Sequence, residues 1–144
     1  MNYETNSAVY EDSAVGFFLQ PHTGSSTYYS FMFNCIGTVS GEICREGHKP
    51  QQLPKEHLDR IIRFASCGTR PFRELEGLFT WNVVAELPLD IIGIKYEGHP
   101  IMMKGNFYKC ASGTQQPHFL SWQPVKSDHP DFHRPEFFGD IILA

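Results

Sequence analysis

The sequence is poor in charge, and neither sign is concentrated in one stretch. Only 19% of the 144 residues are charged, the formal net charge is −4, and lysine and arginine are scattered along the chain. A surface that binds nucleic acid needs a basic run or stripe to neutralise the phosphates. Nucleic acid is therefore excluded as an expected partner.

Long apolar runs are also lacking. No stretch approaches the roughly 20 apolar residues of a membrane-spanning helix, so no membrane span is expected. Residues 1–10 are polar and contain no apolar segment of the kind found in signal peptides, so no signal peptide is expected there. With 41% apolar residues in a chain of this length, we expect one soluble globular domain over residues 1–144.

The usual spacings of metal and redox sites are missing. The four cysteines, Cys35, Cys44, Cys67 and Cys110, form no C-x-x-C pair, and the seven histidines form no H-E-x-x-H motif. No transition-metal site is expected, and loop histidines that bond the backbone are the simpler interpretation. A disulfide such as Cys35–Cys44 stays open.

Catalytic motifs are lacking too. There is no G-x-S-x-G, no P-loop and no dinucleotide-binding fingerprint. A glycoside hydrolase needs two carboxylates at a set separation, which a sequence does not reveal. Four acids are available for such a pair, although solvated acids are the simpler interpretation: Glu74, Glu76, Glu86 and Asp90.

Turn-forming and aromatic residues are plentiful. Ten prolines and twelve glycines imply many chain reversals, and twelve Phe with six Tyr favour strands. Residues 54–60 suggest a short helix, and 45–53 and 66–77 suggest connections. The predicted strands are residues 14–20, 27–36, 37–44, 61–65, 79–87, 101–108, 119–122 and 137–143. This pattern predicts an all-β antiparallel sandwich or barrel.

The stretch Gly105–Pro124 combines an aromatic strand, a polar loop and a returning strand that ends at Trp122. Apolar faces of a sugar stack on aromatic rings while neighbouring polar groups bond its hydroxyls. This stretch therefore suggests a sugar site with Trp122 as its platform and His118 beside it. The alternative is that Trp122 is a core residue.

The segment Asp128–Gly139 places Arg134 just before the last predicted strand. A guanidinium there would either bond sugar hydroxyls or clamp the loop by pairing with Asp12, Asp131 or Glu136. In the clamp interpretation, His133 caps backbone carbonyls. We favour the clamp.

Several strings resemble the carbohydrate-binding family 9-like domain, the group similar to family 9 carbohydrate-binding modules of xylanases. They follow one another from Val9 to Leu143: VYEDSAVGFFLQP, YYSFMFNCIGTV, the W-x-V-x-x-x-L-P of Trp81–Pro88, GNFYKCASG, PHFLSWQPV and PDFHRPEFFGDIIL. The resemblance implies an antiparallel β-sandwich of jelly-roll or immunoglobulin-like (DOMON-like) type.

The resemblance also implies a function. It predicts non-catalytic binding of an oligosaccharide or polysaccharide chain end, associated with polysaccharide degradation such as that of xylan, outside the cell or in the cell envelope or periplasm. The alternatives are a xylanase-like glycoside hydrolase and a degenerate structural module without ligand. Some modules of this type hold calcium, so calcium is possible, with no ligands assigned.

The site residues follow from the same resemblance. Family members clamp a terminal sugar between two aromatic rings, which correspond here to Tyr10 and Trp122. Asn106 and Lys109 match the N-F-Y-K string and are expected to contact ligand, with His118 and Arg134 as further candidates. Gly16 stands where the family has an acid, so one expected hydroxyl partner is missing.

The chain begins only about ten residues before the family's D-S-x-V-E string, where members normally have several dozen. The resemblance thus predicts an N-terminally shortened sandwich. Apolar faces and open sheet edges would then be exposed. We expect self-association through the incomplete sheet.

Overall fold

A computed structural model describes residues 1–75, 77 and 79–144. The strands are β1 (Ala14–Gln20), β2 (Tyr28–Asn34), β3 (Val39–Cys44), β4 (Gln51–Gln52), β5 (Ile62–Ala65), β6 (Val83–Glu86), β7 (Ile101–Ala111), β8 (His118–Ser121) and β9 (Gly139–Leu143). Helix α1 spans Lys55–Leu58, and 3₁₀ helices span Val9–Glu11, Leu89–Ile92 and Pro135–Phe137. No helix in the described part is long and apolar enough to cross a membrane.

Seven antiparallel strands form the main sheet, in the order β4-β3-β2-β1-β7, and β8 and β9 complete it. Both of these strands pair with the same edge of β7, since Ala111 lies opposite His118 and Ile101 lies opposite Leu143. The long strand β7 can hold two partners end to end because it has eleven residues. Strands β5 and β6 form a separate two-stranded sheet.

Side-chain alternation gives the main sheet two faces. Face A is the side of Phe17, Phe31 and Phe107, and face B is the side of Phe18, Tyr28 and Tyr108, because side chains alternate along each strand and cross-strand partners share a face. On face A the first core packs against residues of α1, β6 and the 3₁₀ helix Leu89–Ile92. Its buried members are Leu19, Phe31, Phe33, Val39, Leu53, Leu58, Ile61, Ile91, Ile92 and Met103.

Face B carries the second core, which the 3₁₀ helix at Val9 and the segment 122–138 cover. Val125 and Phe132 of that segment pack against it. Its buried members are Val9, Ala14, Phe18, Tyr28, Met32, Cys44, Tyr108, Cys110 and Phe138. The chain is therefore layered on both sides of one large sheet, and the predicted all-β antiparallel sandwich is confirmed.

Of the predicted elements that differ in extent, two show how tertiary contacts set the bounds. The strand predicted at 79–87 is paired only over Val83–Glu86, and the indole Nε1 of Trp81 donates to Ser13 Oγ at 3.0 Å. The loop predicted at 45–53 contains the two-residue strand β4, followed by buried Leu53, whose amide donates to Gly41 O at 2.9 Å. Both differences come from tertiary contacts that local sequence patterns do not encode.

Candidate functional site

A groove opens on the face-B side of the sheet, between β8 and the segment 125–132. Its volume is about 290 Å³. The residues that line it are Phe119, Leu120, Ser121, Val125, Ser127, Asp128, His129, Pro130, Asp131 and Phe132. The groove thus combines aromatic rings, hydroxyls, carboxylates and an imidazole.

Two phenylalanines supply the aromatic wall. The Phe132 ring stacks on Tyr108 with centroids 4.1 Å apart, and its edge meets Phe119 at 6.0 Å. Phe119 lies on face B because it is directly opposite Cys110 in the β7–β8 pairing. Its side chain is 41% exposed, so part of the ring is open to solvent beside the groove.

Tyr10 lies at the same end of face B. Its carbonyl oxygen accepts hydrogen bonds from Ser112 N at 3.2 Å and from Cys110 Sγ at 3.6 Å. Its neighbour Val9 is buried in the face-B core, and Tyr10 itself is 53% exposed. Cys110 lies opposite Phe119 of β8 in the sheet, and Tyr10 bonds Cys110. Tyr10 is therefore close to the start of β8.

Arg134 holds the groove loop in shape. Its Nε donates to Asp131 Oδ2 at 2.9 Å, and its Nη1 lies 3.5 Å from Glu136 Oε1. Asp131 Oδ1 also accepts from His133 N at 3.0 Å. Arg134 therefore forms the predicted clamp with Asp131, which lines the groove. The capping role predicted for His133 is wrong, because its Nδ1 bonds the hydroxyl of Tyr28 at 2.8 Å.

Trp122 lies on face A, away from the groove. Its amide donates to Phe107 O at 2.8 Å, and the two rings meet edge to face at 5.8 Å. Phe107 also stacks on Phe17 at 4.6 Å. Trp122 is 49% exposed, so the alternative that it is a core residue does not hold.

The structure does not bring Tyr10 and Trp122 together. Tyr10 is bonded to Ser112, and Trp122 pairs with Phe107, so their anchoring points are about 16 Å apart along the sheet at about 3.3 Å per residue. Trp122 lies on face A, whereas the 3₁₀ helix that carries Tyr10 packs through Val9 into the face-B core. Two aromatic side chains can clamp one sugar ring only if they lie close together on the same face. We therefore do not assign Tyr10 and Trp122 as a clamping pair.

Lys109 and His118 form a hydrogen-bonded cluster at the end of face A. The Lys109 ammonium contacts Ser13 Oγ at 3.0 Å, Cys110 O at 3.1 Å and His118 Nε2 at 3.1 Å. It also lies 5.9 Å from the Trp81 ring centroid. Burial lowers the pKa of Lys109. The three ammonium hydrogens thus have partners within the protein, which leaves Lys109 a structural role.

Asn106 is fully buried and does not reach the surface. Its Oδ1 accepts from Gln123 N at 2.8 Å and from Phe107 N at 2.9 Å, and its Nδ2 donates to Gln123 O at 3.1 Å. The amide therefore holds the chain just after β8. Asn106 positions the segment that leads into the groove loop, and its side chain is not exposed at the surface.

Gly16 lies in the face-B core. A Cβ at this position would stand 2.5 Å from Met32 Sδ and 3.3 Å from Met32 Cε. The methionine thus fills the space where the resemblance places an acidic side chain. Met32 would have to move to admit any side chain here.

The acids considered for catalysis are dispersed. Glu74 accepts from Gln115 N at 2.9 Å, and Asp90 forms two 2.8 Å bonds with Arg60, whose hydrogen bonding lowers the pKa of Asp90. Glu86 is exposed on β6, and Glu76 lies outside the described residues. Within the described ranges, no three His, Cys, Asp or Glu side chains form a candidate metal site.

A second depression lies at the other end of the sheet, with a volume of about 540 Å³. It is lined by Pro21, His22, Thr23, Gly24, Ile94, Lys95, Pro100, Ile101 and Met102. None of these carries a six-membered aromatic ring. The groove beside Phe119 is therefore the better match for a ligand that stacks.

Sequence reasoning missed Phe119, Phe132 and Asp128 as site residues. Each belongs to a string already singled out, PHFLSWQPV or PDFHRPEFFGDIIL. The missing information was the register of β8 against β7, which decides whether Phe119 or Trp122 faces the loop. A one-residue shift in that register would exchange the two.

Comparison with known proteins identifies the family. The sequence profile described as Carbohydrate-binding family 9 matches residues 1–143. The chain belongs to carbohydrate-binding family 9.

A solved structure is similar over nearly the whole chain. It is the crystal structure, at 2.70 Å resolution, of a candidate carbohydrate-binding protein from Bacteroides uniformis ATCC 8492. The TM-score is 0.90 at 34% sequence identity, and the match covers 97% of this chain but 65% of that one. This family 9 chain therefore spans somewhat less than two thirds of its structural relative. A comparison with curated proteins gives no match.

Proposed function

We propose that this family 9 domain binds the end of an oligosaccharide in the groove between β8 and residues 125–132. The observation that carries the proposal is the partly exposed Phe119 ring beside a loop of hydroxyl, carboxylate and imidazole groups. Sugars combine apolar C–H faces with many hydroxyls, and they need both kinds of partner. The family assignment and the Bacteroides relative support the same ligand class.

In this proposal, the β8 side of the groove stacks on the sugar and the loop side bonds its hydroxyls. Phe119 offers a ring for stacking, with Tyr10 nearby as a second exposed aromatic. Asp128, His129 and Ser127 offer acceptors and donors to sugar hydroxyls. The Asp131–Arg134 pair keeps the loop in the shape that presents these groups.

Binding without catalysis fits the carboxylates of the groove. A glycosidase needs one carboxyl group protonated as acid and a second as nucleophile or base. Both oxygens of Asp131 accept hydrogen bonds, from Arg134 Nε and from His133 N, so this carboxylate is already engaged within the protein. Asp128 is then the other carboxylate that lines the groove. Turnover of a chromogenic xyloside or glucoside by the protein would refute this part of the proposal.

The proposed setting is the degradation of plant-type polysaccharides such as xylan, outside the cell or in its envelope. Family membership supports this setting. We expect the protein to hold a glycan chain end near enzymes that cleave the chain. Affinity is expected to be modest, because stacking on one or two rings leaves much of a sugar in solvent.

Calorimetry with xylo- and gluco-oligosaccharides tests the proposal. Phe119→Ala should abolish measurable heat of binding, because the stacking surface is lost. Trp122→Ala is the matched control on the other face of the same strand pair, and we expect it to bind as the unaltered protein does. Loss of binding in Trp122→Ala with binding retained in Phe119→Ala would move the site to face A and contradict the proposal. A folded protein with no binding to either sugar series would indicate a domain that has lost its ligand.

A further inference from the structure

Two β-turns, one from each sheet, lie against each other, and residues 35–38 of the first turn are buried. In the first, Gly37 N donates to Asn34 O at 3.0 Å, and Gly37 has φ +80°. In the second, Gly68 N donates to Ala65 O at 3.1 Å, and Gly68 has φ +76°. Glycine suits both positions because a positive φ is strained for other residues.

Direct contacts join the two turns. Arg63 Nη1 donates to Gly37 O at 3.0 Å. A Cβ built on Gly37 would lie 3.5 Å from the Cβ of Ala65, which is ordinary van der Waals contact. The β2–β3 turn and the end of β5 are therefore packed side by side.

Each turn carries one cysteine. Cys35 follows Asn34 and is 3% exposed, whereas Cys67 follows Ser66 and is exposed. Burial, and then the neighbouring Cys67 thiol, raises the pKa of Cys35 to about 11. The other two cysteines, Cys44 and Cys110, are buried in the face-B core.

We infer that Cys35 and Cys67 are a redox pair that closes to a disulfide on exposure to a small-molecule or protein disulfide. The exposed Cys67 thiolate attacks the oxidant and forms a mixed disulfide, releasing one thiolate. Cys35 then loses its proton, attacks the Cys67 sulfur and displaces the second thiolate. Two protein thiols are oxidised by two electrons while the oxidant disulfide is reduced to two thiols.

The bridge would fasten the small β5–β6 sheet to the main sheet. It closes a loop of residues 35–67, and a disulfide of such length typically stabilises a protein by constraining the unfolded chain. The second step should be slow at neutral pH, because little Cys35 is ionised when its pKa is about 11. Cys35–Cys44, the pairing left open by sequence, is not supported, since Cys44 contacts His133 on face B.

Oxidation of the reduced protein with glutathione disulfide tests the inference. We expect a mass loss of two hydrogens, a Cys35–Cys67 cross-link in the peptide map, and a rise in Tm on the order of 5–10 °C. Formation of the cross-link should become faster as pH is raised from neutral toward the pKa of Cys35. Cys67→Ser should lose the cross-link and the rise in Tm, whereas Cys110→Ala should keep both. Glutathione that stays on Cys67, a cross-link between other cysteines, or an unchanged Tm would overturn the inference.

Discussion

Asn106 shows how one buried side chain can shape a surface that it does not touch. Its carboxamide closes three hydrogen bonds with Gln123 and Phe107, all inside the protein. The motif N-F-Y-K drew attention to the residue, but the motif could not reveal that the amide faces inward. A strand's alternation gives two candidate faces, and only the packing of the whole sheet decides which one is covered.

Asn106→Ala should therefore destabilise the fold. We expect the free energy of unfolding to fall by about 1–3 kcal/mol, because two backbone amides and one carbonyl lose a buried partner. Urea unfolding measures the change. Asn82→Ala is the control, since Asn82 is exposed and its substitution should change stability by less than about 0.5 kcal/mol. Equal effects at the two positions would contradict the positioning role.

The elements that build the groove are a short strand and a long loop. The apolar run 14–20 predicts β1 with its observed bounds, and the alternation over 27–36 predicts β2 to within two residues at each end. In the segment 122–138 the sequence predicted the local clamp of Arg134 on Asp131, but not the stacking of Phe132 over Tyr108 on β7. Contacts across the sheet, which no local pattern records, thus determine the site.

Arg134→Met should loosen the loop 125–132 while leaving the fold intact. Half-exposed ion pairs contribute only about 0–1 kcal/mol to stability, so the expected change in Tm is small. Amide hydrogen exchange in 125–134 should speed up, and sugar affinity should fall, because Asp131 loses its partner. Lys104→Met, which removes the 2.7 Å pair with Asp140 on β7 and β9, is the matched control. Exchange rates in the loop that are the same in both variants would show that Arg134 does not hold it.

At the scale of the whole molecule, the two faces of the sheet differ in cover. A loop covers face B and leaves the groove beside Phe119 open. Face A is covered at one end, and at its other end it carries exposed apolar rings. Composition and turn content predicted the all-β class, and the string resemblance predicted the family. Neither placed Tyr10 and Trp122 on opposite sides, because that outcome depends on strand register.

The whole fold should lose stability at alkaline pH. Burial raises the pKa of three cysteines from 9.0 to about 11, and it raises the pKa of two tyrosines well above 10.0: Cys35, Cys44, Cys110, Tyr28 and Tyr108. A group whose pKa is higher in the folded state than in the unfolded state makes its full contribution to stability below the unfolded-state pKa. This contribution is lost as pH rises through the folded-state pKa. Stability should fall above about pH 9, on the order of 1 kcal/mol per pH unit for each cysteine.

Urea unfolding with a reductant present, at pH values from about 8 to about 10.5, measures this loss. Lys109 acts in the opposite direction, because its pKa is lowered by burial and the cost of its charge is relieved as pH rises. Because Lys109 alone opposes the three cysteines and two tyrosines, the free energy of unfolding should still fall as pH rises. Stability that is constant or rising over this range would contradict the burial of these groups.

The exposed part of face A is the surface through which we expect two copies to associate. Phe107 and Trp122 are about half exposed there and stand beside exposed Leu120. Light scattering should show a dimer that Phe107→Ser weakens. Ile142→Ser, at an equally apolar but face-B position on β9, should leave it unchanged. A stable monomer over the accessible concentration range would refute self-association.

The most direct test of the groove is an NMR titration of the unaltered protein with a xylo- or gluco-oligosaccharide. Carbohydrate binding beside Phe119 predicts saturable shifts of amide signals in residues 118–121 and 125–132, with those of the exposed face-A rings unmoved. Shifts confined to Phe107, Lys109 and Trp122 would contradict the assignment of the groove.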